Sequence, residues 1–210
     1  MKHTIFLFLI SGFCLMLLAF IPESKNKAKS NSNLRVTQIA GKVLFNHKKC
    51  VACHTLADEA KGKLTPVLNQ RDNNWLAEHL MKESPIVLRQ ERSQRKQQQV
   101  LKAEIAALVD YLYQSKPAEK KQIARMSEDA FQGAYLVYQN NCLNCHSIAG
   151  VGKDVAPDLS QVAKRHGDKE WIVEHFMNPQ QFSPESIMPR FNRLPKESLE
   201  KMAEYLLTLK

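Results

Sequence analysis

The chain has 210 residues, of which 44% are hydrophobic, with 30 Lys and Arg against 21 Asp and Glu. That apolar content excludes wholesale disorder, and 7 Gly with 9 Pro exclude a collagen-like or Gly-rich repeat. The net charge of +9 is spread thinly: residues 1–35 and 36–115 each carry +4, residues 116–126 carry +3 and residues 127–210 carry −2. No single module has the aromatic-studded basic stripe that nucleic-acid binding would require, so no nucleic-acid partner is expected.

Residues 1–21 follow Lys2 and His3 with an almost unbroken apolar run, IFLFLISGFCLMLLAFI. This reads as an export signal or a membrane anchor. No pair of small residues stands just after the apolar core to mark a cleavage site, which favours a retained anchor. Lys25, Lys27 and Lys29 argue the other way, since positive charge prefers the cytoplasmic side. Cys14 fills the apolar helix. Residues 22–35, polar and without apolar periodicity, read as a flexible tether. The expected location is the outer, periplasmic side of the cytoplasmic membrane, with the N-terminal segment as the membrane contact.

The rest of the chain is an internal repeat. Two Cys-x-x-Cys-His runs begin at Cys50 and Cys142, 92 residues apart, and at the same offset Gly41 matches Gly133 and Leu44 matches Leu136. Further on, Trp75, His79 and Met81 align with Trp171, His175 and Met177, and Tyr111 aligns with Tyr205. The expected modules are 36–115 and 127–210, joined by a short polar linker at 116–126. Each opens and closes with helical periodicity: Ile39, Val43 and Leu44, then Leu101, Ile105, Leu108, Val109 and Leu112, in the first. In the second the sets are Ala130, Ala134 and Val137, then Leu199, Met202, Leu206 and Leu209. Ser127 is a candidate N-cap and Pro195 a candidate start of the last helix. No stretch alternates as a strand would, and the expected fold class is all-α.

Cys50, Cys53 and His54, and Cys142, Cys145 and His146, have the spacing of c-type haem attachment. Two thiols bond to the ring edge, and the adjoining imidazole ligates iron from the same side. Structural zinc is disfavoured because the two knuckles lie too far apart for a compact ribbon. A thioredoxin-like pair would need strands, and disulfides would leave the two following histidines without a role. Two covalently bound haem c groups are expected.

Both modules resemble small class I cytochrome c domains, and the pair resembles tandem di-haem cytochromes c such as the cytochrome c4 group and oxidase-associated di-haem proteins. The resemblance implies that the Gly41 and Gly133 helices cross those of Tyr111 and Tyr205, with glycine permitting close backbone approach. It also implies that the carbonyls of Pro66 and Pro157 accept the Nδ1–H of His54 and His146. The segment around Met188-Pro189 resembles the family's Met-bearing loop, which makes Met188 the sixth ligand of the second haem. The first repeat departs from this pattern: Arg92 or Gln94 stands opposite Met188, and the sixth ligand there is open, with Met81, His79 and Lys96 as weak candidates. The implied function is electron transfer between a redox donor and a terminal oxidase or reductase, from the basic first module to the acidic second. A peroxidase-like enzyme or a gas or redox sensor, using an open sixth site at the first haem, is the alternative.

Overall fold

A computed structural model of the chain describes residues 34–50, 71–72, 74–75, 78–79 and 94–210, with backbone alone for 94–98. The export or anchor segment, Cys53, His54, Pro66, Met81 and the side chain of Lys96 lie outside the described residues. Among the described residues no helix is long and apolar enough to cross a membrane.

The first module contributes α1 (Val36–His47) and α2 (Gln94–Val109), the latter continuing as a π-helical turn over Asp110–Gln114. Ile39, Val43 and Leu44 of α1 and Leu108, Val109 and Leu112 at the end of α2 are buried, so the apolar stripes face inward. The start of α1 is tied to the end of α2 by Asp110, which accepts from Arg35 (Nη2 to Oδ1, 2.5 Å) and from Thr37 Oγ1.

The second module contains α4 (Glu128–Gln139), α5 (Val162–Arg165), α6 (Lys169–Met177), α7 (Pro179–Phe182) and α8 (Lys196–Leu206). Ser127 Oγ accepts the Ala130 N–H at 3.3 Å and caps α4, and Pro195 is the N-cap of α8. The first and last helices of each module cross at glycine. A Cβ on Gly41 would lie 2.1 Å from the Ala107 carbonyl oxygen, and one on Gly133 would lie 1.8 Å from that of Lys201. No other residue permits those approaches.

Two features depart from the sequence expectation. The connecting stretch is largely a helix, α3 (Pro117–Ile123). Pro117 starts it, Glu119 Oε2 accepts the Lys116 N–H at 2.7 Å, and Ile123 is buried in the core. One buried residue among seven left too weak a stripe to read. The all-α second module also contains a two-stranded antiparallel hairpin, Ser147–Ile148 with Val151–Gly152. Ala149 and Gly150 form its turn with φ of 50° and 76°, the left-handed pair a tight hairpin requires.

The modules share one core. Helix α1 packs on α4, and the buried cluster runs from Leu34 and Ile39 through Ile123 to Val137 and Tyr205. At the seam the Tyr138 hydroxyl donates to the Ala103 carbonyl at 2.6 Å, and His47 meets Tyr135 edge-on at 5.8 Å. A nearly buried Lys48–Glu104 ion pair of 2.9 Å lies in the first module. Burial, partly countered by Lys48, raises the Glu104 carboxyl above its ordinary value.

Candidate haem sites

Asn141, in the left-handed conformation at φ 60°, ends α4 and turns the chain into a short 3-10 segment, Cys142–Asn144. The His146 N–H returns to the Cys142 carbonyl at 2.9 Å, so both sulfurs and the imidazole leave one compact turn. Cys142 and Cys145 are half-buried and are in no disulfide. Burial pushes the Cys142 thiol up to about 12, which keeps it protonated and suits an apolar neighbour.

Behind this turn the chain folds back on itself. The Cys145 carbonyl accepts from Val155 and Ala156 at 3.0 and 2.9 Å. The hairpin brings Gly152 so close to the His146 carbonyl that a Cβ there would lie 2.1 Å from its oxygen. The Pro157 carbonyl lies 2.7 Å from His146 Nδ1. A proton on Nδ1 therefore leaves Nε2 as the nitrogen available to a metal, and the bond makes it a stronger donor. Asp158 braces the loop: its Oδ1 accepts from Ser147 Oγ at 3.0 Å and Ser160 Oγ at 2.7 Å, and Arg165 donates to its carbonyl at 2.5 Å. Burial opposes the Asp158 charge, but the Ser160 and Ser147 hydrogen bonds and the Arg165 charge outweigh it and hold this carboxyl below the usual range.

Met188 lies on the other part of the module, half-buried and packed against the core. Its loop is held by Gln180 of α7, whose Nε2 donates to the carbonyls of Ser186 (2.9 Å) and Met188 (3.1 Å). The Met188 N–H donates to Ser186 Oγ at 3.3 Å, and the Phe191 N–H to the Phe176 carbonyl of α6 at 2.8 Å.

The residues present fit a covalently held haem. The second module offers two thiols from one turn, an imidazole fixed at Nδ1 and a thioether on a braced loop. Among the described residues it also encloses three polar side-chain atoms with no protein partner, His175 Nδ1, Asn178 Oδ1 and Tyr205 Oη. In the first module Cys50 packs against the shared core just beyond α1, as Cys142 does beyond α4.

The two His candidates shared by the repeats have the same setting. His79 stacks on Trp75 with centroids 5.0 Å apart and planes at 6°, and His175 stacks on Trp171 at 4.9 Å and 21°. The outer faces of the indoles differ: Arg71 covers Trp75 at 5.3 Å, whereas His166 lies flat on Trp171 at 3.8 Å. Sequence reasoning passed over Gln180, Asp158 and His166. For His166 a signal existed, because the aligned residue of the first repeat is Gln70. An isolated Gln in a four-residue helix carries none.

Comparison with known proteins matches two separate stretches of the chain. The cytochrome c family matches residues 38–116, and the family described as cytochrome c oxidase, mono-haem subunit/FixO, matches residues 150–207. The chain is 32% identical over 93 residues to the C subunit of nitric oxide reductase from Stutzerimonas stutzeri, covering 42% of this chain and 63% of that protein. It is 28% identical over 92 residues to the corresponding nitric oxide reductase protein of Paracoccus denitrificans, covering 40% and 61%. Cytochrome c oxidase subunit 2 of Alkalihalophilus pseudofirmus is 25% identical over 88 residues, covering 39% and 26%. The chain thus spans less than two thirds of these relatives, and no solved structure gives a significant match. The cytochrome c match over 38–116 and the mono-haem oxidase-subunit match over 150–207 give the chain two cytochrome c-like domains.

Proposed function

We propose that the protein is a di-haem electron carrier, one haem per module, that passes electrons to a terminal reductase or oxidase on the periplasmic side of the cytoplasmic membrane. Cys50, Cys53 and His54 would hold the first haem, and Cys142, Cys145, His146 and Met188 the second. Bound there, haem supplies a one-electron couple. The module boundaries taken with this reading are 36–115 and 127–210.

The observation that carries the reading is the His146 imidazole, tied to the Pro157 carbonyl at 2.7 Å and released from the same turn as two thiols. A rotationally locked imidazole and a braced thioether keep the ligand set the same in both oxidation states, so little reorganisation accompanies each electron. The relatives named as parts of nitric oxide reductase and of cytochrome c oxidase support a partner of that class. The first module, without an aligned Met, is assigned the lower potential and the electron-receiving role; the acidic second module delivers.

Denatured protein should retain two haems per chain through acid–acetone extraction, and Cys142→Ala with Cys145→Ala should retain one. Complete extraction from the wild type would overturn the reading. A redox titration with the second haem at the lower potential would reverse the direction of flow.

A further inference from the structure

The connector helix α3 distributes its charges unequally. Its inward side is held by α1 and by the end of the first module. Glu119 Oε2 accepts from Gln38 Nε2 of α1 at 3.0 Å and from the Lys116 N–H at 2.7 Å. Lys120 Nζ donates to the Leu112 carbonyl at 3.3 Å and lies over the Tyr111 ring at 5.3 Å, and Ile123 is buried. Lys116, Lys121 and Arg125 are exposed. Residues 116–126 carry +3, and Glu119, their one acid, is engaged in those two bonds. The next acids along the chain, Glu128 and Asp129, open α4, where their charges fall on Lys201 of α8.

The position of this basic face narrows what it meets. Gln38, which holds Glu119, also accepts the Arg35 N–H at 2.9 Å through Oε1, so α3 is tied to the start of α1. Leu34, one residue earlier, is fully buried. The chain therefore enters the fold beside the basic helix. The stretch 22–33, which leads back to the apolar run of residues 1–21, can span at most about 40 Å. With that run in a bilayer, the exposed face of α3 is held within reach of the lipid headgroups. The haem-attachment turn lies elsewhere: Cys50 follows the opposite end of α1, whose 12 residues set its two ends about 18 Å apart. A redox protein docking at the first haem would meet that opposite end, so an acidic electron donor fits the basic helix less well than an anionic lipid surface does.

We infer that the exposed face of the connector helix, Lys116, Lys121 and Arg125, rests on anionic phospholipid headgroups and orients the protein on the membrane. This rests on the membrane-side location given above, with residues 1–21 as the anchor. Headgroup phosphates supply the complementary charge, and each Lys or Arg close to such a surface gains about fivefold in occupancy. The attraction acts over about a Debye length, so it needs the basic face near the lipid and weakens with salt. Because α3 is fixed to the fold by Gln38, Tyr111 and the buried Ile123, a contact on its outer face sets the orientation of the whole first module. The Cys50 end of α1 then points away from the lipid, where a redox partner can reach it.

The test uses the full holoprotein in nanodiscs of phosphatidylcholine with or without phosphatidylglycerol. Amine acetylation is followed lysine by lysine with mass spectrometry. Phosphatidylglycerol should slow the labelling of Lys116 and Lys121 about fivefold, and high salt should restore it. Lys153 and Lys164, exposed on the second module, should label at the same rate in both discs. Lys121→Gln with Arg125→Gln, both at exposed positions, should return Lys116 most of the way to its phosphatidylcholine rate. Equal labelling of Lys116 and Lys121 in the two discs would overturn the proposal, as would slowing of all four lysines alike or unchanged protection of Lys116 in the double variant. Protection by polyglutamate but not by phosphatidylglycerol would overturn it in favour of an acidic protein partner. Carbonate extraction of membranes carrying the protein is measured separately: release of the chain would refute the anchor reading rather than this contact. The labelling is then read with the chain added to vesicles of the same two compositions, where protection by phosphatidylglycerol still supports the lipid contact and equal rates overturn it.

Discussion

Gly133→Ala is the sharpest test of how the second module is assembled. The added Cβ would lie 1.8 Å from the Lys201 carbonyl oxygen and 2.5 Å from its carbon. To reach even a tight contact of about 3 Å, α4 and α8 must separate by about 1.2 Å, and the obstacle is backbone, which cannot swing aside as a side chain can. Parting them loosens Ala130, Ala134 and Val137 from Leu199, Met202 and Ala203, all buried. Overpacking of this kind costs about 3 kcal/mol at its upper range, and alanine's better helix propensity returns about 1 kcal/mol, leaving a loss of about 2 kcal/mol. In thermal unfolding of the holoprotein followed by circular dichroism, that is a fall in Tm of about 12 °C if the second module melts alone. It is about 6 °C if both modules melt together. Gly167→Ala is the control, since its nearest atom would be the Ala163 carbonyl oxygen at 3.3 Å. A Gly133→Ala protein melting within about 2 °C of wild type would refute the close-approach account.

Two further outcomes are expected. Met188→Ala should lower the potential of one haem and remove the weak long-wavelength charge-transfer absorption of a thioether-ligated ferric haem; survival of both would make Met188 a packing residue. Tyr138→Phe removes the 2.6 Å bond to Ala103 and should cost about 1 kcal/mol in urea unfolding. Burial first, with the charges of Glu104 and Asp110, pushes the Tyr138 hydroxyl from 10.0 up to about 12. Stability linked to it is therefore present below pH 10 and lost as pH rises towards 12. In Tyr138→Phe that alkaline loss should shrink, as read from urea midpoints across that range.

The helices of both modules were legible because their stripes are long and regular: Ile39, Val43 and Leu44, or Leu199, Met202 and Leu206, recur at helical spacing and are buried as that spacing implies. Gly41 and Gly133 could be placed at helix crossings through the resemblance to the cytochrome c fold, and the duplication aligned the two positions. The connector helix escaped because its burial rests on Ile123 alone, among lysines that read as linker. The hairpin escaped because two-residue strands leave no alternation to count, only the turn residues Ala149 and Gly150. At the candidate site, cysteine and histidine spacing is local and can be read directly. The Gln180 brace and the stacking of His166 on Trp171 join residues from separate segments, and no linear pattern announces such meetings.

The common core has a consequence for the order in which the chain can mature. Synthesis proceeds from the N-terminus, so α1 exists well before residues 128–139, the helix it packs against in the finished protein. Until α4 emerges, the face of the first module that meets it has no cover, and the Tyr138 bond to Ala103 has no donor. The early half is therefore a sticky intermediate, vulnerable to self-association, and its final consolidation waits on the later half. A duplicated chain of this kind is not two independent beads: a truncation after the connector helix would strand an exposed apolar face rather than release a stable half.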